Sequence, residues 1–166
     1  MIPFLLAAGG PGAFGALMDE YARAAEDFCR VVEADDVARF LAERPGAGDL
    51  RSRREVCAHV VASARLYADL VRKVRGMEHV DRYDEAPWLA DAPADVRGLL
   101  AAALRYTEEA VDGLGALAEP EVQALVIRSE WVSTYDPESI LEHAIVHVLR
   151  HRRQLERWDR PGRPRT

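Results

Sequence analysis

Lysine and cysteine are almost missing from this 166-residue chain. Lys73 is the one lysine among 22 basic residues, the others being arginine, and Cys29 and Cys57 are the only cysteines. Two cysteines cannot build a disulfide framework, and both fall within helical patterns where a small buried thiol is the usual role. That leaves little support for an oxidising compartment. Long apolar runs are also absent. The uncharged start, Met1 to Met18, is broken by Gly9, Gly10, Pro11, Gly12 and Gly15, and no basic residue precedes Phe4-Leu5-Leu6. This excludes the pattern of a signal peptide or a membrane span, so a cytoplasmic location is expected. Positive charge is not in excess: the formal net charge is -6, which argues against a general nucleic-acid binder, whose affinity comes from neutralising phosphates. Sustained two-residue alternation and internal repeats are missing too, which removes sheet and solenoid architectures.

What is present is helix. The apolar fraction is 49%, and a chain of this length buries roughly two-thirds of its unfolded surface, so a core needs no metal or disulfide to form. Phe14, Leu17, Met18, Tyr21, Ala25, Phe28 and Val32 repeat at three-and-four spacing and predict a first long helix. A short helical piece, Asp35 to Arg44, is expected to stop at Pro45-Gly46. Ser52-Arg53-Arg54-Glu55 reads as a capping box opening a second long helix, whose inward face is Val56, His59, Val60, Ser63, Tyr67, Leu70, Val71 and Val74, with Gly76 as its stop. The polar stretch from Gly76 to Pro93, holding Asp81, Asp84, Glu85, Pro87 and Trp88, exceeds the usual two to eight residues between neighbouring helices of a bundle, and is long enough to cross from one end to the other. Val96 through Leu117 predict a third helix ended at Glu119-Pro120. An irregular connection follows, with the apolar run Val122 to Ile127 and then Trp131. Asp136 as N-cap and Pro137 at the first helical position open a fourth helix reaching about Trp158. The expectation is an all-α four-helix bundle over residues 1–158 with a long crossover between the second and third helices, and a disordered tail over 159–166.

The histidines carry the chemistry. His143, His147 and His151 follow at four-residue spacing on the fourth helix. Neighbours at that spacing converge on one ion, whereas the outer two are separated by about 12 Å of rise and cannot. His151 lies nearest the inward direction set by Ile140, Leu141, Ala144, Val148 and Leu155, then His147, then His143, so His147 and His151 form the pair. His59 is an inward histidine seven residues, roughly 10 Å, from the start of its helix, and His151 stands seven residues before Trp158. The three meet at one height if the second and fourth helices run antiparallel, which a crossover produces. Glu does not follow either histidine of the pair, so the zinc-protease motif H-E-x-x-H is excluded, and Glu142 points to solvent. Taken alone, each of these histidines is also readable as a hydrogen-bonded core residue in a non-enzymatic binding module. Val146 and Leu149 give the fourth helix a second apolar side, which suggests a homodimer.

His147-Val148-Leu149-Arg150-His151-Arg152-Arg153-Gln154-Leu155 resembles the H-x3-H-R-x-Q signature on the last helix of the DinB-like superfamily, four-helix bundles with a crossover after the second helix. In that family an inward histidine on the second helix completes the metal site, and His59 within Cys57-Ala58-His59-Val60-Val61 is the matching position. Arg150 and Arg153 depart from the His and Gly that members often carry there, which puts substrate contacts near the mouth in question. The resemblance implies zinc or nickel at His59, His147 and His151, with His143 and Gln154 as supporting residues. It also implies activation of a low-molecular-weight thiol, such as bacillithiol or mycothiol, or of water, for attack on a small electrophile. No DNA-binding role follows from the family name.

Overall fold

A computed structural model describes residues 3–44, 48–128 and 134–160. The chain is mostly helical. Four long helices, α1 (Gly12–Glu33), α3 (Arg53–Val74), α4 (Asp95–Val111) and α6 (Pro137–Asp159), are joined by two short ones, α2 (Val37–Leu41) and α5 (Glu119–Gln123). A two-residue antiparallel ladder pairs β1 (Ile127–Arg128) with β2 (Thr134–Tyr135). Among the described residues no helix is long and apolar enough to cross a membrane.

The predicted apolar stripes fill one core. Phe14, Met18, Tyr21, Ala25, Phe28 and Val32 of α1 are buried against Val56, Val60 and Val71 of α3, Leu100 and Leu104 of α4, and Ile140, Leu141, Val148 and Leu155 of α6. Cys29 and Cys57 are free thiols buried in this core. The ends are capped as their residues dictate. Ser52 accepts from Glu55 N at 3.1 Å while Glu55 accepts from Ser52 N at 2.9 Å, a reciprocal pair worth about 1 kcal/mol. At the far end of α3, Gly76 takes a left-handed φ of 67°, and Gly76 N and Met77 N donate to Lys73 O and Arg72 O. This 6→1 and 5→2 closure favours glycine. Asp136 accepts from Ser139 N at 2.8 Å, with Pro137 supplying a pre-set φ at the first position of α6.

Ion pairs and hydrogen bonds set how the helices meet. Arg53 at the start of α3 reaches Asp159 at the end of α6 at 2.8 Å, and Tyr67, further along α3, meets His143, earlier on α6, at 5.3 Å between ring centroids. The two helices therefore run in opposite senses. The connection after α3 folds back along it: Val80 N donates to Asp69 at 3.1 Å, and Ala90 O accepts from Arg54 at 2.7 Å. In consequence α4 starts beside the start of α3, and their C-terminal ends lie together, where Arg75 donates to Ala110 O and Asp112 O. Arg97 ties the first turns of α4 to Glu26 and Glu33 at the end of α1, both at 2.6 Å.

Several expectations are corrected. The third long helix stops at Val111 rather than near Leu117, because Asp112 leaves the helical region and Gly113 turns left-handed at φ 79°. Leu114 stays buried in a 3-10 turn, so the apolar spacing continues across a break. Glu119-Pro120 opens α5 instead of closing a helix, since proline suits a first turn. The short piece after α1 spans only α2, capped by Asp36, and ends where Ala42 becomes extended. Leu149 packs against the core, which reduces the expected second apolar side of α6 to Val146, 61% exposed. Asp159, assigned to a disordered tail, is helical and paired with Arg53. Pro45, Gly46, Trp131 and tail residues 161–166 lie outside the described residues.

Candidate metal centre

His59 of α3 and His147 and His151 of α6 come together between these two helices. Their ligating atoms all lie within 4.8 Å of one another. The ring centroids are 4.9 Å apart for His59 and His147, 4.8 Å for His59 and His151, and 4.5 Å for His147 and His151. The closest nitrogens are His59 Nε2 and His147 Nε2, at 3.1 Å. Two nitrogens bound at 2.0–2.1 Å to one tetrahedral ion stand about 3.3 Å apart, close to that distance.

The outer nitrogens determine which atoms face inward. His151 Nδ1 donates to the Gln154 amide oxygen at 2.8 Å, one turn further along α6, so its Nε2 carries the lone pair. His59 Nδ1 meets the Glu85 carboxylate at 2.8 Å, and a carboxylate accepts, which places the proton on Nδ1 and leaves Nε2 free to ligate. Tyr83 lies 2.7 Å from the same Nδ1 and donates to Glu85 at 2.6 Å. Burial pushes the Tyr83 hydroxyl pKa upward, and the adjacent Glu85 carboxylate adds to this, so the phenol stays protonated at neutral pH. Burial, followed by the other histidines, lowers His147 to about 3, and burial lowers His151 to about 4. Both are neutral at pH 7, the form in which imidazole ligates metal.

Each residue singled out in the sequence has a definite place. His59, His147 and His151 converge as the spacing implied, and Gln154 supports His151. His143 does not join the three. It stands edge-on to Tyr67 at 5.3 Å and to Tyr135 at 5.6 Å, and Tyr67 in turn lies 5.7 Å from His147. Glu142 is exposed, and so is Arg153, whereas Arg150 lines the cavity beside His147 and His151. In the sequence Glu85 stands only within a polar connection, and Tyr83 carries no motif. Both approach His59 from a segment without hydrophobic period. The available signal was that a connection folding back along α3 must pass the level of His59 and bring acidic and aromatic side chains to its outer edge.

No protein-family model matches the chain, and no curated protein matches it either.

Proposed function

We propose that His59, His147 and His151 hold one divalent cation, zinc or nickel, in a DinB-like four-helix bundle with a crossover after its second long helix. The protein would activate a low-molecular-weight thiol or water for attack on a small electrophile. The observation that carries this reading is the convergence of three histidines whose ligating atoms lie within 4.8 Å of one another, two of them with their outer nitrogens engaged by oxygen acceptors on Glu85 and Gln154. A satisfied core histidine needs one partner; here His59 and His151 both turn the lone pair of Nε2 toward His147, which is costly unless a proton or a cation stands between the rings. The donor set suits the ions named, because neutral imidazoles are common ligands of zinc and nickel.

A cation held by three neutral imidazoles keeps its full charge and an open side, which lowers the pKa of a neighbouring thiol or water. The chain's own residues do the rest. Glu85 and Gln154 fix the ring orientations of His59 and His151. Tyr67 and Leu66 wall the adjoining cavity, while Arg150 supplies a local positive charge in a chain whose net charge is -6. The bundle assignment is supported by the opposed senses of α3 and α6 and by the connection that folds back along α3.

Turnover of a haloalkyl or bimane electrophile, measured with and without added low-molecular-weight thiol, tests the reading. Thiol-dependent turnover by the parent that is abolished by chelator and by His147→Ala is the expected result. Rates equal to the uncatalysed background in both proteins, with every thiol tried, contradict it.

A further inference from the structure

We propose that the centre is two-sided, with separate compartments for an apolar ring and for a carboxylate-bearing ligand on opposite sides of His59. This deepens the function proposed above and rests on it. Two cavities adjoin the histidines. The first, about 410 Å³, is lined by Ser63, Leu66, Tyr67 and Tyr83 together with His59 and His147. The second, about 500 Å³, is lined by Glu85, Arg150, His151 and Gln154 together with His59 and His147. The two therefore share only the rings of His59 and His147.

Between them stands a hydrogen-bonded partition. Tyr83 borders the first cavity, Glu85 borders the second, the two are joined at 2.6 Å, and both lie against His59 Nδ1. Its two faces differ in chemistry. On the Tyr83 side, two aromatic rings and the Leu66 side chain offer flat apolar walls, with the Ser63 hydroxyl as a polar group, and the volume falls in the range of small-molecule sites. The carboxylate in this cavity, Asp81, is already taken by Lys73 at 2.6 Å. On the Glu85 side the cationic group is Arg150, which has no ion-pair or hydrogen-bond partner among the described residues. Its planar fork matches a carboxylate. Glu85 is occupied by His59 and Tyr83, and Asp49 is exposed at the rim, so neither neutralises Arg150 directly.

One ligand thus enters with an apolar ring against Tyr67 and Tyr83, and a second enters with its carboxylate on Arg150. Both can reach the rings of His59 and His147 without displacing each other. Indole and succinate are suitable probes, the first flat and uncharged, the second an anion without a thiol. Each would be titrated into the folded protein as purified, and again after chelation, with backbone amide shifts recorded by NMR. Indole should move Ser63, Leu66 and Tyr67, succinate should move Arg150 and Gln154, and saturation with one should change the affinity for the other by less than about twofold. Arg150→Gln, an exposed change that the fold tolerates, should weaken succinate about fivefold or more and leave indole within twofold. Leu66→Gln should do the reverse, with amide dispersion confirming that it is folded. Competition for one set of residues, equal weakening of both probes by Arg150→Gln, or binding of neither probe at millimolar concentration overturns the proposal. Zinc titration of the same samples reads the metal separately, so a two-sided cavity without metal and a metal site without two sides are distinct outcomes.

Discussion

Acid should unfold the metal-free protein through two particular histidines. In the unfolded chain His147 and His151 take up protons near the ordinary value of 6.5; in the fold they do so only near 3 and 4. Between those limits the unfolded state binds more protons, so stability falls as pH drops below 6.5 and goes on falling until the folded-state values are reached. At pH 5, about 1.5 units below 6.5, each histidine costs about 2 kcal/mol. The His151 ring contributes to the His147 shift, so the two costs are not independent and the pair together costs between about 2 and 4 kcal/mol, a large share of a typical domain's stability. Urea unfolding in excess chelator at pH 7 and pH 5, followed by circular dichroism, measures it. In the double variant His147→Gln/His151→Gln most of that difference should vanish. If parent and double variant lose the same stability between pH 7 and pH 5, the burial argument for these rings is wrong.

Two further outcomes follow from specific contacts. Glu85→Gln keeps the shape but replaces a full carboxylate charge opposite His59 Nδ1, and zinc affinity measured by competition with a chromophoric chelator should fall about 10- to 100-fold while the far-ultraviolet spectrum is unchanged. Arg53 is 4% exposed and bridges Asp35 and Asp159, so Arg53→Ala leaves the buried Asp35 carboxylate without its main cation and should cost about 3 kcal/mol or more by urea titration, with Asp35→Asn in the same chain restoring part of the loss.

The sequence was informative where a periodic or local rule operates. The stripes of α1, α3 and α6 place their inward residues without reference to any other helix, and Ser52-Arg53-Arg54-Glu55 and Asp136-Pro137 mark helix starts because capping is satisfied within four residues. His59, His147 and His151 were legible because helix rise converts residue spacing into height. The end of α4 was not, since Leu114 is buried from a 3-10 turn and continues the apolar spacing beyond the break at Asp112 and Gly113. The β1–β2 ladder is too short for alternation to register. Leu149 packs against the core although its angular position on an ideal helix points away, because neighbouring elements cover more of α6 than the core stripe alone predicts. Tyr83 and Glu85 reach His59 through a connection whose path is determined by tertiary contacts at Asp69 and Arg54, which no local pattern encodes.

Three imidazoles are proposed to share one ion. Inductively coupled plasma analysis of protein purified without chelator and loaded with zinc, then dialysed, tests it most directly. One ion per chain in the parent, and none in His59→Ala/His147→Ala/His151→Ala with the helical spectrum retained, is the predicted result. A parent that retains no divalent ion, or a triple variant that binds as much zinc as the parent, would contradict it.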